Sequence, residues 1–283
     1  MTATTLHTTV PGTATGGAVV VPADRPASAV TTAATVAGRT VRKFIRTPQL
    51  LVIGTVTGAM FLLIFRYVFG GAIETGPVPY VDFLVPGYVV TSVLFAGSTA
   101  ASGVAEDLEQ GFTDRLRSLP VPRTALLAGR VLAETAVLAF GLIVTAAIGF
   151  AVGFRVHGSV IDALAAFGLC VAFGFAFMWL FALVGLLAGT AQAAQGMSLM
   201  VFPLSFVSSA MVPVDSMPGW LQPVAENQPV TAMVNAVRSL VLGDPSLGGL
   251  TRSTTHWVLL SLGWSAAMVL LFAPLAVQRF RRS

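Results

Sequence analysis

Long apolar runs separated by short polar punctuation dominate the chain, and their lengths are those a lipid bilayer demands. A helix needs about 20 mainly apolar residues to cross a hydrocarbon core. Six stretches meet that requirement, near 49–70, 83–105, 124–153, 160–188, 193–213 and 256–277. The pattern predicts an all-α membrane protein with six transmembrane helices. Some runs exceed the minimum, so tilt or an extra interfacial turn is expected. Pro203 lies inside the fifth run and predicts a kink, tolerated where neighbours satisfy the freed carbonyl.

The pattern changes twice ahead of the first run. Residues 1–35 are rich in Thr, Ala, Gly, Val and Pro, without periodicity and almost without charge, which predicts a disordered tail. The tail has no basic region leading into a compact apolar stretch, so it does not read as a secretory signal. From 36 to 47, Ala37, Val41, Phe44 and Ile45 form one helical stripe and Arg39, Arg42, Lys43 and Arg46 another. Such a helix is expected to lie in the membrane interface. Pro48 then lets the chain turn into the bilayer.

Between the second and third runs, residues 106–123 form an island of charge. Leu108, Phe112, Leu116 and Leu119 recur at helical spacing, while Glu106, Asp107, Glu109, Asp114, Arg115 and Arg117 occupy the other faces. A short amphipathic helix is predicted, stopped by Pro120 and Pro122. The connection at 213–255 carries two apolar pieces too short to span, Met217 to Ala225 and Pro229 to Leu242. They suit helices that dip into the membrane and return with their backbone ends shielded by protein. A plain amphipathic hairpin on the surface is the alternative.

Lysine and arginine bias orients the whole. Arg25, Arg39, Arg42, Lys43 and Arg46 precede the first run, Arg115, Arg117, Arg123 and Arg130 flank the second and third, and Arg279, Arg281 and Arg282 end the sixth. The opposite loops hold only Arg155, Arg238 and Arg252, with Arg66 near the far end of the first run. Both termini and the 106–123 segment are therefore expected in the cytoplasm, and the 213–255 hairpin outside.

Composition agrees. Apolar residues are 55% of the chain and charged ones 10%, with mean hydropathy +0.83, which excludes an ordinary soluble domain. The formal charge of +4 sits beside apolar runs and forms no long basic tract, so anionic lipid headgroups rather than nucleic acid are the expected counterpart. The one cysteine, Cys170, lies in an apolar run and rules out a disulfide within one chain.

Several motifs carry a family resemblance. The segment EDLEQGFTDRLRSLPVPRTALLAGR at 106–130 resembles the cytoplasmic coupling segment of ABC-2 type permeases, the membrane subunits of ATP-driven exporters. The stretch FPLSFVSSAMVPVDSMPGWLQPVAENQPVTAMVNAVRSLVLG at 202–243 resembles their fifth span and external re-entrant hairpin, and Phe83-Leu84-Val85-Pro86-Gly87 matches the start of their second span. Together these cover nearly everything from Arg39 onward as a single transmembrane domain, residues 36–283. Glu226 to Thr231 with Asn235 to Arg238 looks most like the daunorubicin and doxorubicin resistance type.

The resemblance implies a permease that pairs, as a homodimer or with a relative, with separate ATP-binding subunits. ATP and Mg belong to that partner, because a phosphate-binding loop needs Gly-Lys-Ser/Thr and the sole lysine, Lys43, follows Arg42. Glu106, Asp107, Leu108, Phe112, Arg115, Leu116 and Arg117 would couple the spans to the ATPase. The implied cargo is an amphipathic, anthracycline-like drug or natural product, and the implied location the plasma (inner) membrane. Alternatives are a lipid-linked or polysaccharide cargo, or an ion-driven transporter. The last would show repeated halves and several buried ionisable groups.

Glu134 lies inside the third run, four residues after Arg130. Three readings are open: an ion pair with Arg130, contact with a cationic drug, or contact with another helix. Phe173, Phe177 and Phe181 recur along the fourth run and either stack on a planar drug or pack as core or lipid-facing surface. Gly97, Gly103, Gly185 and Gly189 fit close helix packing. No catalytic residue, cofactor site or metal site is expected, since HExxH, GxSxG and paired intramembrane carboxylates are all absent.

Overall fold

A chain this apolar satisfies its backbone internally only as helices or a closed barrel. The computed structural model describes residues 38, 48–72, 78–111, 123–244, 246, 250 and 252–282, and among them regular structure is entirely helical. Helix α1 covers Pro48–Ile64 and runs into a π-helical turn at Phe65–Phe69. Then come α2 (Tyr80–Glu109), α3 (Arg123–Val152), α4 (Val160–Ala188), α5 (Ala191–Ser198) and α6 (Phe202–Phe206). The chain continues with α7 (Gln222–Asn227), α8 (Pro229–Leu242) and α9 (Thr254–Arg282). The tail at 1–35 and most of the helices expected at 36–47 and 106–123 lie outside the described residues.

Among the described residues, four helices are long and apolar enough to cross a membrane: α2, α3, α4 and α9. They coincide with the second, third, fourth and sixth runs. The first run corresponds to α1 and its π turn, of which Val56–Phe69 forms a shorter apolar helix. The fifth run departs from expectation. In place of one helix over 193–213, the chain makes α5, a 3-10 turn at Leu199–Val201, the short α6, and then irregular backbone through Val212. Pro203 withholds one N–H, and the Ser208 hydroxyl donates to the Ser205 carbonyl and accepts from Ala210 N in place of helical partners. The predicted kink is a full break.

Packing order follows burial. Two-thirds of the apolar window (67%) is buried in α2 and in α4, against 17% in α9, so α2 and α4 form the centre and α9 presents Leu259, Leu270 and Leu271 outward. Helix α4 starts on a capping box, Ser159 with Asp162, and ends at Gly189, whose φ of +75° turns the chain sharply into α5. Gly189 thus acts through its backbone; no heavy atom lies within 4 Å of where its Cβ would be, so it is not a packing contact. Gly97 and Gly185 do fit close packing. A Cβ on Gly97 would fall 2.0 Å from the Phe181 ring, and one on Gly185 2.5 Å from the Ala101 carbonyl oxygen.

Every residue of α8 except Leu240 is buried, against α2, α4 and α9. The second short apolar piece is therefore an interior helix, not one lying on a surface. The first piece differs, with Trp220 and Val224 exposed.

Gly87 of α2 makes the closest approach, since a Cβ there would lie 1.8 Å from the Ala210 carbonyl oxygen in the broken segment. Gly87→Ala should cost about 1–3 kcal/mol through overpacking and lower the thermal unfolding temperature of the detergent-solubilised protein. Gly141→Ala, where no heavy atom lies within 4 Å, is the matched control and should leave that temperature unchanged.

Candidate functional site at the end of α2

Three acidic side chains on the last turns of α2 organise the end of the bundle from which the 106–123 segment departs. Arg130 of α3 meets Asp107 Oδ2 through Nη1 at 2.5 Å, and its Nε stands 2.9 Å from Glu134 Oε1. The second contact is ionic rather than an aligned hydrogen bond, because Nε–H does not point at the carboxylate. Side-chain exposure of 16 to 23% leaves all three groups mostly shielded from water. One guanidinium thus holds two carboxylates on two helices.

The neighbouring acids act differently. Glu109 Oε2 accepts a hydrogen bond from Ala191 N at 3.3 Å, and Thr190 Oγ1 accepts one from Ala193 N at 3.1 Å. These two caps satisfy free N–H groups in the first turn of α5, where negative charge is favoured. Glu106 Oε1 accepts from Gln110 Nε2 at 3.0 Å along the helix surface. Leu108 is half-buried against the apolar core. The last turns of α2 therefore contact both α3, by charge, and α5, by capping.

The structure brings Glu106, Asp107 and Leu108 together here, while Phe112, Arg115, Leu116 and Arg117 lie outside the described residues. Glu134 makes the intrahelical pair with Arg130 that the four-residue spacing suggests. Phe173, Phe177 and Phe181 are wholly buried on α4, with consecutive ring centroids 4.6 and 6.3 Å apart. They fill the core of a single chain in this conformation. The Asp107–Arg130 and Glu109–Ala191 contacts escaped sequence reasoning because each joins positions 23 or more residues apart.

A second polar centre, at the other end of α2, also escaped it. Arg238 of α8 is 1% exposed and donates through Nη2 to the carbonyls of Phe83 and Ser209, at 3.1 and 2.9 Å. Gln228, Thr231, Asn235 and Arg238 lie three or four residues apart, which places them on one face of α8. That stripe was the available signal. Asp82, just ahead of the predicted second span, is buried too, and its Oδ1 accepts from Arg155 N at 3.0 Å.

Comparison with known proteins bears on the whole arrangement. The family model described as ABC-2 type transporter matches residues 32–242, and the chain belongs to that family. It is 31% identical over 281 residues to the daunorubicin resistance ABC transporter permease protein DrrB1 of Streptomyces coeruleorubidus, covering 98% of this chain and 96% of that one. It is 30% identical over 238 residues to the probable doxorubicin resistance ABC transporter permease protein DrrC of Mycobacterium tuberculosis, covering 81% and 83%. The inner membrane transport permease YadH of Escherichia coli is 30% identical over 203 residues, covering 69% of this chain and 76% of that relative.

Because Arg130 serves two acids, the three neutralising substitutions should differ in effect. Arg130→Gln leaves Asp107 and Glu134 without their shared cation and should reduce folded yield most. The cost should fall below the ~3–5 kcal/mol of a fully buried pair. Glu134→Gln leaves Arg130 its Asp107 partner, and Asp107→Asn leaves it Glu134, so each should lose less. Fluorescence-detected size-exclusion of the three variants measures the order, and a larger loss for Glu134→Gln than for Arg130→Gln would contradict it.

Proposed function

We propose that the chain is the membrane-spanning permease subunit of an ATP-driven ABC exporter that moves amphipathic, anthracycline-like drugs or natural products out of the cell. The observation that carries this reading is the match of 98% of the chain to a permease named for daunorubicin resistance. Two copies of the permease pair with two ATP-binding subunits, which bind ATP and Mg and carry out hydrolysis. The chain crosses the plasma membrane six times, with α1 and its π turn as the first crossing and the broken α5–α6 segment as the fifth. Both termini and the 106–123 coupling helix face the cytoplasm, and α7 and α8 form the re-entrant hairpin on the outer side.

Transport in this reading is a two-state rocking of helices whose populations ATP biases. The coupling helix seats on the ATPase, and the last turns of α2 pass its movement to α3 through Arg130 and to α5 through Glu109. Opening between α4 and its neighbours would bring the Phe173, Phe177 and Phe181 rings to a planar cargo, with Glu134 the candidate acidic contact. A lipid-linked or polysaccharide cargo is the second reading, and a relative similar over 69% of the chain has a name that states no cargo.

The permease co-expressed with its ATPase should give a complex whose ATP hydrolysis rises with anthracycline and whose inside-out vesicles accumulate the drug. Phe112→Asp should abolish both stimulation and co-purification, because burying one such side chain stabilises an interface by ~1.5–3 kcal/mol. Wild-type behaviour of that variant would sink the docking assignment. Drug-independent hydrolysis in the intact complex would favour another cargo.

Orientation is open to cysteine labelling in intact cells after Cys170→Ser. Single cysteines introduced at Gly76, His157 and Asp244 should react with an impermeant maleimide, and Arg115→Cys should not. Labelling at position 115 would invert the topology.

A further inference from the structure

The break in the fifth apolar segment is bonded almost atom by atom from α8 and α2. Gln228 Nε2 donates to the Leu204 and Val207 carbonyls at 3.0 and 2.8 Å, and Thr231 Oγ1 accepts from Ser209 N at 3.2 Å. Asn235 Oδ1 accepts from Ser209 Oγ at 2.8 Å, and Tyr80 of α2 donates its hydroxyl to the Met211 carbonyl at 3.3 Å. Arg238 completes the set and differs from the rest in carrying a charge. Its guanidinium carbon stands 3.5 Å from the centroid of the Phe83 ring. Nη2 bridges the Phe83 and Ser209 carbonyls, and Nη1 donates to Asn235 Oδ1 at 3.3 Å. Among the described residues no carboxylate lies within ion-pair distance, and Nε–H has no partner.

An aromatic face beside converging carbonyl and amide oxygens is the chemistry that recognises alkylammonium and guanidinium cations. A cation without a carboxylate in a buried place is costly unless dipoles replace water around it. Here three oxygens and a ring do so, and they come from three separate segments. Take the cation away and the Phe83 and Ser209 carbonyls lose the donor they share. Each loses a charge-assisted bond.

We propose that this cradle is a cation site, filled by the chain's own Arg238, and that the charge it holds fixes the broken fifth segment to α2 and α8. Arg238 is a positioning residue: it touches no cargo, and acts by making the break, α8 and the start of α2 move as one body. The two motifs that meet here, Phe83 to Gly87 and Gln228 to Arg238, are 140 or more residues apart in the chain. Its bearing on transport rests on the exporter reading above; the cation site itself does not.

The test uses the full chain with its ATPase. Arg238→Ala should still co-purify with the ATPase, while drug accumulation falls by about tenfold or more, the effect of losing a charge-assisted hydrogen bond. Millimolar methylguanidinium should restore both thermal stability and accumulation saturably, and methylurea, neutral and of the same shape, should not. Equal rescue by methylurea, or no rescue of a folded Arg238→Ala protein, would overturn the site. Should that variant fail to fold, Arg238→Lys and Arg238→Met decide by stability: a cation site requires Lys to surpass Met, and the reverse order rejects it. Should no drug be transported by the wild type, the exporter reading fails, while methylguanidinium stabilisation of Arg238→Ala still reports on the cradle.

Discussion

Inside a hydrocarbon layer no water completes a backbone hydrogen bond, so a helix can break only where other groups replace its missing partners. In the interval from Leu204 to Met211 the chain leaves helix among buried residues, and burial makes the same demand on its backbone groups. Four carbonyls and an amide N–H that a continuous helix would pair internally are paired instead with Gln228, Thr231, Arg238 and Tyr80. That requirement explains the position of α8. Its polar face has to reach the break and its apolar residues have to meet α2, α4 and α9, so it cannot lie on a surface. Gly87 follows from the same demand, since only a residue without Cβ admits the Ala210 carbonyl so closely to α2.

What hydropathy reveals is the identity of helices whose length alone decides their fate. The second, third, fourth and sixth runs agree with α2, α3, α4 and α9 to within a few residues at most ends. The fifth run reads the same way, because hydropathy weighs side chains and ignores where backbone groups find partners. Pro203 marked a weak point. Whether it bends or breaks depends on the stripe from Gln228 to Arg238, which lies beyond the next turn in sequence and reads on its own as an ordinary amphipathic face. Information about the break is thus split between two segments, and a window sliding along the chain never holds both.

The junction at Glu106–Glu109 is legible in the same partial way. Its charge stands out between apolar runs, and the Arg130–Glu134 pair follows from helical spacing. The partner of Asp107 does not, because it depends on where α2 and α3 cross. Glu109 is further from inference still: it caps a helix whose start is fixed by Gly189 and Thr190, on the far side of α4. The phenylalanine ladder on α4 had a readable period and an unreadable setting. Period places Phe173, Phe177 and Phe181 on one face; only the fold says that α2 and its neighbours close that face completely.

Arginine is used at both ends of α2, and the two uses are physically distinct. Arg130 stands between two carboxylates at a partly wet helix end, where charge balance is local and a neutralised acid leaves another in place. Arg238 is surrounded by carbonyl dipoles and an aromatic face in a dry interior, where its fork reaches several acceptors that a lysine ammonium could not span in the same plane. Between them α2 runs 30 residues, about 45 Å at the helical rise. Pro86 lies three residues after Phe83 in that helix and withholds one N–H from its ladder, so the Phe83 end is set off from the long remainder. Helix α2 is fastened at one end to α3 and α5 and at the other to α8 and the broken segment. Between the two ends, Gly87 and Gly97 hold α2 so close to the Ala210 carbonyl and the Phe181 ring that neither position admits a Cβ.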